Sequence, residues 1–388
     1  MQRSVLVAFS AGCGITVGNV YLCQPLLHEM AVSFGVTEQA AGLVAVASQA
    51  GYVLGILFIL PLADAIDPRR LLRVLLLLTT LSLVGAAFAP TISALALASL
   101  AFGTTTVVPQ LLIPFTSGLV EPRHRGRVIG ALQTGLVLGI LLTRTASGGV
   151  AEMSGSWRAP YMVAALLTGG LFLLLPQLMP QRPRQPGGLG YFALMRSLAS
   201  LLAIRPLRLS MVLGFCVFGA FSAFWATLAF HLSSPAFALG PAAIGLFGLY
   251  GAPGALLSPM AGRLSDRYGA FWVNVASLVF VMVAFVLAGW LGAISLLALI
   301  LAVNFLDFGL QSGQVANQTR ILTVGDGIRA RINTVYMVAT YGGGAFGSLA
   351  GAFAWTVAGW KGVCGLSLGL VLTACITLAL MRSANEPA

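Results

Sequence analysis

The chain has 388 residues, of which 58% are hydrophobic and only 8% are charged, and its mean hydropathy is +0.95. A soluble domain carries about 25% charged residues, so this composition excludes a soluble globular protein. The formal net charge of +11 could suggest a nucleic-acid partner, but the basic residues are spread over alternate loops between apolar segments. The composition therefore predicts an integral membrane protein with no nucleic-acid partner.

Apolar segments follow one another along the whole chain. Because a membrane-spanning helix needs about 20 apolar residues, the sequence predicts about twelve spans. They lie at residues 5–27, 39–60, 71–89, 92–119, 128–152, 159–178, 207–231, 241–261, 271–289, 292–319, 333–358 and 363–381. Backbone groups in lipid must be hydrogen-bonded within their own segment, so each span is expected to be a helix.

Arginines mark one side of the predicted membrane protein. They lie near the N-terminus and in every second loop, at Arg3, Arg69, Arg70, Arg73, Arg123, Arg125, Arg127, Arg182, Arg184, Arg196, Arg205, Arg208, Arg263, Arg267, Arg320, Arg329, Arg331 and Arg382. The intervening loops offer only Arg158 and Lys361. Since cytoplasmic loops carry an excess of basic residues, we expect both termini and the long middle loop in the cytoplasm. The protein is expected in the cell's inner membrane.

The chain divides into two halves that resemble each other. A segment rich in Pro, Gly and Arg predicts a cytoplasmic linker at 181–205 between six-helix bundles at 1–180 and 206–388. Asp64 ends the second span and Asp266 ends the eighth, while Arg125-Gly-Arg and Arg329-Ala-Arg open the fifth and eleventh. A parallel repeat of this kind is typical of transporters, with the substrate site near the midplane.

Several motifs carry a resemblance to a known family. The segment Gly262-Arg-Leu-Ser-Asp-Arg-Tyr-Gly269 matches the loop motif G-x-x-x-D-R-x-G of the major facilitator superfamily. The segments Asn19–Leu27 and Gly139–Gly148 resemble bacterial drug and sugar efflux members of that superfamily, which are proton antiporters. The resemblance implies an all-α membrane fold of twelve helices in two pseudo-symmetric six-helix bundles. One departure is that Thr143-Arg144 stands where drug antiporters usually carry Gly-Pro.

The resemblance also implies an inner gate formed by loop charges. Asp64 would face the start of helix 11, and Asp266 the start of helix 5. The arginines assigned to this gate are Arg125, Arg127, Arg267, Arg329 and Arg331. A carboxylate beside a helix N-terminus and arginines would hold the inner side closed. The alternative is that these residues only set topology and loop structure.

Polar residues recur on one face of the tenth predicted span, helix 10; the predicted helices are numbered by span. They are Asn304, Asp307, Gln311, Gln314 and Gln318, at steps of three and four residues. A polar stripe cannot face lipid, so it is expected to face protein or a cavity. Asp307 is predicted as the proton-coupling carboxylate, because a carboxylate in a low-dielectric cavity can load and release protons near neutral pH. The alternatives are pairing with a cationic substrate or a structural role.

Helix 5 carries a second intramembrane charge, Arg144. Gln133 and Arg144 share a helical face to within about 20°. Arginine stays protonated, so it would bind an anionic group, hold a carboxylate charged, or form a fixed structural pair. On the opposite face, small residues recur every fourth position and predict close packing against a neighbouring helix. They are Ala131, Gly135, Gly139, Thr143 and Ser147.

Helices 1, 4, 7 and 10 line the central cavity in the family that the chain resembles. The resemblance therefore adds candidate substrate-binding residues to Arg144 and Gln133. They are Asn19, Tyr21, Gln24, Gln110, Trp225, Asn304 and Gln311. Tyr21 and Trp225 could equally be packing or interface aromatics.

The sequence contains no phosphate-binding loop and no Ser-His-Asp or metal-ligand set. We therefore expect neither an enzyme nor a cofactor or metal site. The prediction is a monomeric, proton-coupled secondary transporter that exports a small organic compound by alternating access, with that substrate, protons and the lipid bilayer as its partners. A facilitative uniporter or importer is the nearest alternative, and a non-transporting membrane receptor is a further one.

Overall fold

The computed structural model describes residues 3–64, 66–180, 191–256, 258–322, 324 and 328–383. These residues form helices and turns without a strand. The helices are α1 (Arg3–Gly18), α2 (Leu27–Phe34), α3 (Glu38–Leu54), α4 (Pro68–Ala87), α5 (Ile92–Thr105), α6 (Val108–Ser117), α7 (Pro122–Ser154), α8 (Ala159–Leu178), α9 (Tyr191–Ser200), α10 (Arg205–Ser233), α11 (Pro241–Tyr250), α12 (Ala252–Leu256), α13 (Ser258–Trp290), α14 (Leu296–Leu322) and α15 (Arg329–Ser383). The predicted all-α membrane fold is confirmed.

Within these described ranges, nine helices are long and apolar enough to cross a membrane. The difference from the twelve predicted spans has three causes. The first span is shortened because α1 ends at Gly18 and a turn follows. The eighth is interrupted at Gly251 between α11 and α12, and the last two are two helices within α15 that meet directly at a kink formed by the non-helical residues Ala358 and Gly359.

The contacts divide the chain into two compact units. The first comprises Met1–Met195 with Gly240–Gly248, and the second comprises Arg196–Leu239 with Leu249–Ala388. In the first unit α1 packs on α7, α3 on α5, and α4 on α5 and α8. In the second unit α10 packs on α15, and α13 on α14. Residues 181–190 of the predicted linker lie outside the described part of the chain, and α9 follows them.

Glycines allow α1 and α7 to approach each other closely. A Cβ atom on Gly139 would collide with the backbone of Gly14, and one on Gly135 would collide with the carbonyl oxygen of Ser10. On Gly18, a Cβ would lie 3.0 Å from the Cβ of Thr143. The predicted helix 5 is α7 in the structure. Its stripe of small residues is therefore the surface on which α1 packs, in agreement with the predicted close packing.

The second unit repeats this arrangement with α10 and α15. Gly343 lies against the backbone of Phe215, and Gly347 against that of Gly219. In both units a helix near the start of the half thus packs on a later helix through glycines four residues apart. This shared packing agrees with the internal repeat read from the sequence.

Large apolar side chains cover the outer surface of the helices. Leu97 is 68% exposed, Leu166 72% and Leu173 64%. In water such a surface would promote aggregation, whereas in a bilayer it is the surface that contacts the lipid acyl chains.

We expect Gly139→Ala to destabilise the protein, because the new Cβ overlaps the backbone of Gly14. Overpacking of this kind costs about 1–3 kcal/mol. Gly130→Ala is the matched control on the same helix, since no atom lies within 4 Å of the position of its Cβ. Thermal unfolding of the detergent-purified variants should show a lower melting temperature for Gly139→Ala only; equal melting temperatures would contradict the described packing.

Candidate functional site

Arg144 is the centre of a buried polar cluster in the first unit. Its side chain is only 1% exposed. Its Nε donates a hydrogen bond of 2.7 Å to Oε1 of Gln24, and its Cζ lies 5.1 Å from the ring centroid of Tyr21. A guanidinium remains charged when buried, so it requires such compensation. The structure therefore brings together three of the predicted site residues.

The turn after α1 positions two members of this cluster. Asn19 begins the turn, and its Nδ2 donates to the hydroxyl oxygens of Thr106 and Thr168, each at 3.4 Å. The Thr106 hydroxyl in turn donates to the carbonyl oxygen of Thr16 at 2.6 Å, at the point where α5 gives way to α6. Asn19 thereby fixes the turn that carries Tyr21 and Gln24.

The two remaining candidates of the first unit are Gln110 and Gln133. Gln110, in α6, donates from Nε2 to the hydroxyl oxygen of Tyr52 at 3.4 Å. Gln133 lies on the exposed surface of α7. Gln133 and Arg144 are eleven positions apart, which corresponds to about 17 Å of helix, so a shared face does not bring their side chains together.

In the second unit, α14 carries the predicted polar stripe. The helix is continuous from Leu296 to Leu322, so Asn304, Asp307 and Gln311 share one face, as their spacing predicts. Asp307 is 4% exposed, and Asn304 and Gln311 are half-buried. The Asp307 carboxylate lies against Gly251, where a Cβ would overlap its Oδ2.

The other predicted residues of the second unit make defined contacts. Asn304 donates from Nδ2 to the carbonyl oxygen of Tyr250 at 2.8 Å, and its Oδ1 accepts from the backbone N–H of Gly254 at 3.2 Å. Trp225, in α10, is buried, with ring centroids 6.1 Å from Phe221 and 5.7 Å from Phe224. Its position is therefore fixed by aromatic packing within the unit.

Four arginines of the expected gate lie in the first two turns of α7 and α15, and Arg267 lies within α13, two residues before its non-helical Gly269. Arg125, Arg127, Arg267 and Arg329 are exposed, and Arg331 is half-buried. The guanidinium of Arg267 lies over the ring of Tyr268, 5.2 Å from its centroid. The side chains of Asp64 and Asp266 lie outside the described part of the structure, so the gate stays a prediction.

Some contributors to these clusters were not anticipated from the sequence. Tyr52 and Thr106 are ordinary residues of apolar segments, and no local pattern distinguishes them. The sequence does contain a pattern for the glycines of the eighth predicted span. Gly245, Gly248, Gly251 and Gly254 recur there at every third position. In the described ranges, no group of three His, Cys, Asp or Glu side chains could hold a metal ion.

A further acidic pair lies in the first unit near the ends of α2 and α7. Glu152 accepts a hydrogen bond of 3.0 Å from the backbone N–H of Ala242 in the first turn of α11. Glu29 lies on α2, and its partial burial raises the pKa of its carboxyl group. Nearby His28 lowers this pKa and the charge of Glu152 raises it.

The fold, the lipid-facing surface and the buried charges together define a membrane transporter. The sequence pattern of the Major Facilitator Superfamily matches residues 6–319. The chain belongs to the Major Facilitator Superfamily, and it is a transporter of that type rather than an enzyme.

Two relatives support this assignment over nearly the whole chain. The uncharacterized transporter YgaY of Escherichia coli O157:H7 is 36% identical over 374 residues, covering 96% of this chain and 94% of the relative. The probable transporter SCO4007 of Streptomyces coelicolor is 36% identical over 355 residues, covering 91% of this chain and 82% of the relative.

Among solved structures, a variant of the nucleoside transporter NupG has the same fold. The TM-score is 0.75, with 98% of this chain and 100% of that chain covered. Sequence identity is only 15%, so the similarity concerns the fold alone.

We expect Gln24→Ala to lower the melting temperature, because it removes the acceptor of the buried hydrogen bond from Nε of Arg144. Hydrogen bonds to charged groups contribute about 1.5–3 kcal/mol. Gln133→Ala is the matched control, since that amide is exposed and its removal should change stability by less than about 0.5 kcal/mol. An unchanged melting temperature for Gln24→Ala would show that the 2.7 Å bond does not stabilise the folded protein.

The raised pKa of Glu29 predicts a pH-dependent effect. When the pKa of a group is higher in the folded state than in the unfolded state, the two values bound a pH window. The free energy of unfolding falls as pH rises through this window, because the folded state must release a proton that it holds more tightly. Glu29→Gln should therefore raise the melting temperature above this window and leave it unchanged below. Glu121→Gln, which alters an exposed carboxylate, is the matched control. A Glu29→Gln effect of the same size at all pH values would contradict the assigned cause.

Proposed function

We propose that the protein is a proton-coupled secondary transporter that exports a small organic compound by alternating access. The observation that carries the proposal is the burial of Asp307 on the polar face of α14. A carboxylate at membrane depth is costly and is usually retained for an ion or substrate pathway. Its contact with Gly251, at the interruption between α11 and α12, supports a role in a step that moves the helix backbone.

In this proposal Asp307 is the group that takes up and releases the coupled proton. The protonation of a buried carboxyl group depends on its access to water and on the charges that face it. A conformational change that alters that access would therefore change its proton occupancy. Proton flow inward would then supply the free energy for export of the substrate.

We assign the substrate contacts to polar groups of both units. In the first unit the cluster of Tyr21, Gln24 and Arg144 offers a positive charge and hydrogen-bonding groups. It is suited to an anionic or hydroxyl-bearing substrate. Further proposed contacts are Asn19, Gln110, Gln133, Trp225, Asn304 and Gln311.

The direction of transport rests on the resemblance to efflux proteins at Asn19–Leu27 and Gly139–Gly148. The distribution of arginines supports an inner-membrane location with both termini in the cytoplasm. We further propose a monomer that is built from bundles 1–180 and 206–388 joined by the linker 181–205. Its inner side would be closed by Asp64 and Asp266 with Arg125, Arg127, Arg267, Arg329 and Arg331.

The test is proton release from the purified protein in weak buffer when a candidate substrate is added. A panel of drugs, sugars and nucleosides is screened for binding first, and each compound that binds is then tested. We expect release from the wild type and none from Asp307→Asn, which has lost its titratable group but retains a similar shape. Asp67→Asn is the control, because Asp67 is exposed and its Oδ1 accepts from the backbone N–H of Arg69 at 3.2 Å, a capping role that asparagine also fills.

Binding with equal release, or with no release, in both the wild type and Asp307→Asn would contradict the coupling role. It would favour a facilitative uniporter that ignores the proton gradient. Flux in proteoliposomes separates the remaining possibilities, since a receptor would bind a ligand without transporting it.

A further inference from the structure

The eighth predicted span is interrupted in its middle, within the second unit. Helix α11 ends at Tyr250, Gly251 forms a turn, and α12 begins at Ala252. Pro253 has no backbone N–H, so the carbonyl group of Leu249 has no donor four residues later. An interruption at membrane depth leaves backbone groups that must find partners within the protein.

The side chain of Asn304 supplies such partners for the next pair of groups. In a continuous helix the N–H of Gly254 would donate to the carbonyl oxygen of Tyr250. Here the Asn304 amide lies between them, donating 2.8 Å to Tyr250 and accepting 3.2 Å from Gly254. One side-chain amide therefore replaces one backbone hydrogen bond, with both of its ends satisfied.

The orientation of this amide is fixed by a third hydrogen bond. Its Nδ2 also donates to the carbonyl oxygen of Ile300 at 2.9 Å, one turn earlier on α14. Both N–H groups of the amide and its oxygen are therefore engaged with backbone. A substrate could accept a hydrogen bond from Asn304 only by breaking one of the two Nδ2 bonds, whereas Oδ1 keeps a second lone pair for a donor. Asn304 therefore has a structural task in addition to the substrate contact proposed for it.

Glycines bring the interrupted segment against α14. A Cβ on Gly254 would collide with the carbonyl oxygen of Asn304, and one on Gly251 would collide with Oδ2 of Asp307. Asp307 follows Asn304 by three residues on the same face of α14. The amide that holds the interruption and the buried carboxylate thus contact the same short segment, Tyr250–Gly254.

We propose that Asn304 is a positioning residue that clamps the Tyr250–Gly254 segment open and thereby keeps Gly251 over the Asp307 carboxylate. Releasing the clamp frees the backbone of Gly254 and uncovers Asp307. The inference rests on the proposed function only for the meaning of Asp307, because the clamp itself can be tested without substrate or proton coupling.

The test uses two readouts on the full-length protein in detergent at one fixed pH. The first is hydrogen–deuterium exchange of the peptide that contains Gly254. The second is the rate at which dicyclohexylcarbodiimide, a reagent for carboxyl groups in apolar surroundings, modifies Asp307, measured by mass spectrometry with Asp307→Asn as the background.

In Asn304→Leu we expect exchange at Gly254 to accelerate by about tenfold, which corresponds to ~1.4 kcal/mol of lost hydrogen bonding. Pro253 prevents the segment from closing into a regular helix, so the exposed N–H has no other backbone partner within its helix. Modification of Asp307 should also become faster, because Gly251 no longer covers it. Gln311→Leu, which removes an amide from the same face of α14, should leave both rates at the wild-type level.

The double variant Asn304→Leu, Pro253→Ala provides a rescue. Alanine supplies the missing N–H and permits a continuous helix, so slow exchange at Gly254 should return while Asp307 remains more reactive than in the wild type. This variant also serves if Asn304→Leu alone does not fold. Wild-type rates in Asn304→Leu, equal acceleration in Gln311→Leu, or a double variant with wild-type reactivity at Asp307 would each overturn the proposal.

A failure of the proposed function would look different. If Asp307→Asn still released protons on substrate binding while Asn304→Leu changed exchange and reactivity as expected, the clamp would stand and only the coupling role would be lost.

Discussion

Backbone hydrogen bonding in a medium without water is the constraint on which the rest of this structure depends. In lipid every N–H and C=O group must find a partner inside the protein, which makes each span a helix. Where a helix ends or is interrupted, side chains take over. The Thr106 hydroxyl donates to the carbonyl oxygen of Thr16 in the last turn of α1, and Asn304 bridges Tyr250 and Gly254 at the break between α11 and α12. Both places lie beside candidate site residues.

Close approach of helices is the second consequence of the lipid environment. Because lipid tails are as apolar as leucine, helices gain little from burying apolar surface and associate through close packing at small residues. Gly14 with Gly139, and Gly219 with Gly347, provide this packing in the two units. Neither helix carries a side chain at these contacts, so the two backbones lie close together. The paired helices are therefore fixed elements on which polar side chains can be placed accurately.

The buried charges are arranged differently in the two units. Arg144 is enclosed by an amide and an aromatic ring, which compensate a charge that cannot be neutralised by losing a proton. A carboxylate such as that of Asp307 loses its charge when it binds a proton, and Asp307 lies against a glycine at a helix interruption. This contrast explains why the proposals assign a substrate contact to the arginine and the proton to the aspartate.

The sequence by itself determined the class of the protein, its all-α membrane fold and the polar face of helix 10, and it predicts two similar halves. These features follow from hydropathy, charge distribution and the helical period, which are properties of local sequence. It also located the stripe of small residues on helix 5. Tertiary structure alone decided that α1 covers this stripe, that Gln24 rather than Gln133 contacts Arg144, and that Asn304 binds backbone. Such pairings join residues distant in the chain, and they depend on where α1 ends and where α11 is interrupted, which local patterns do not specify.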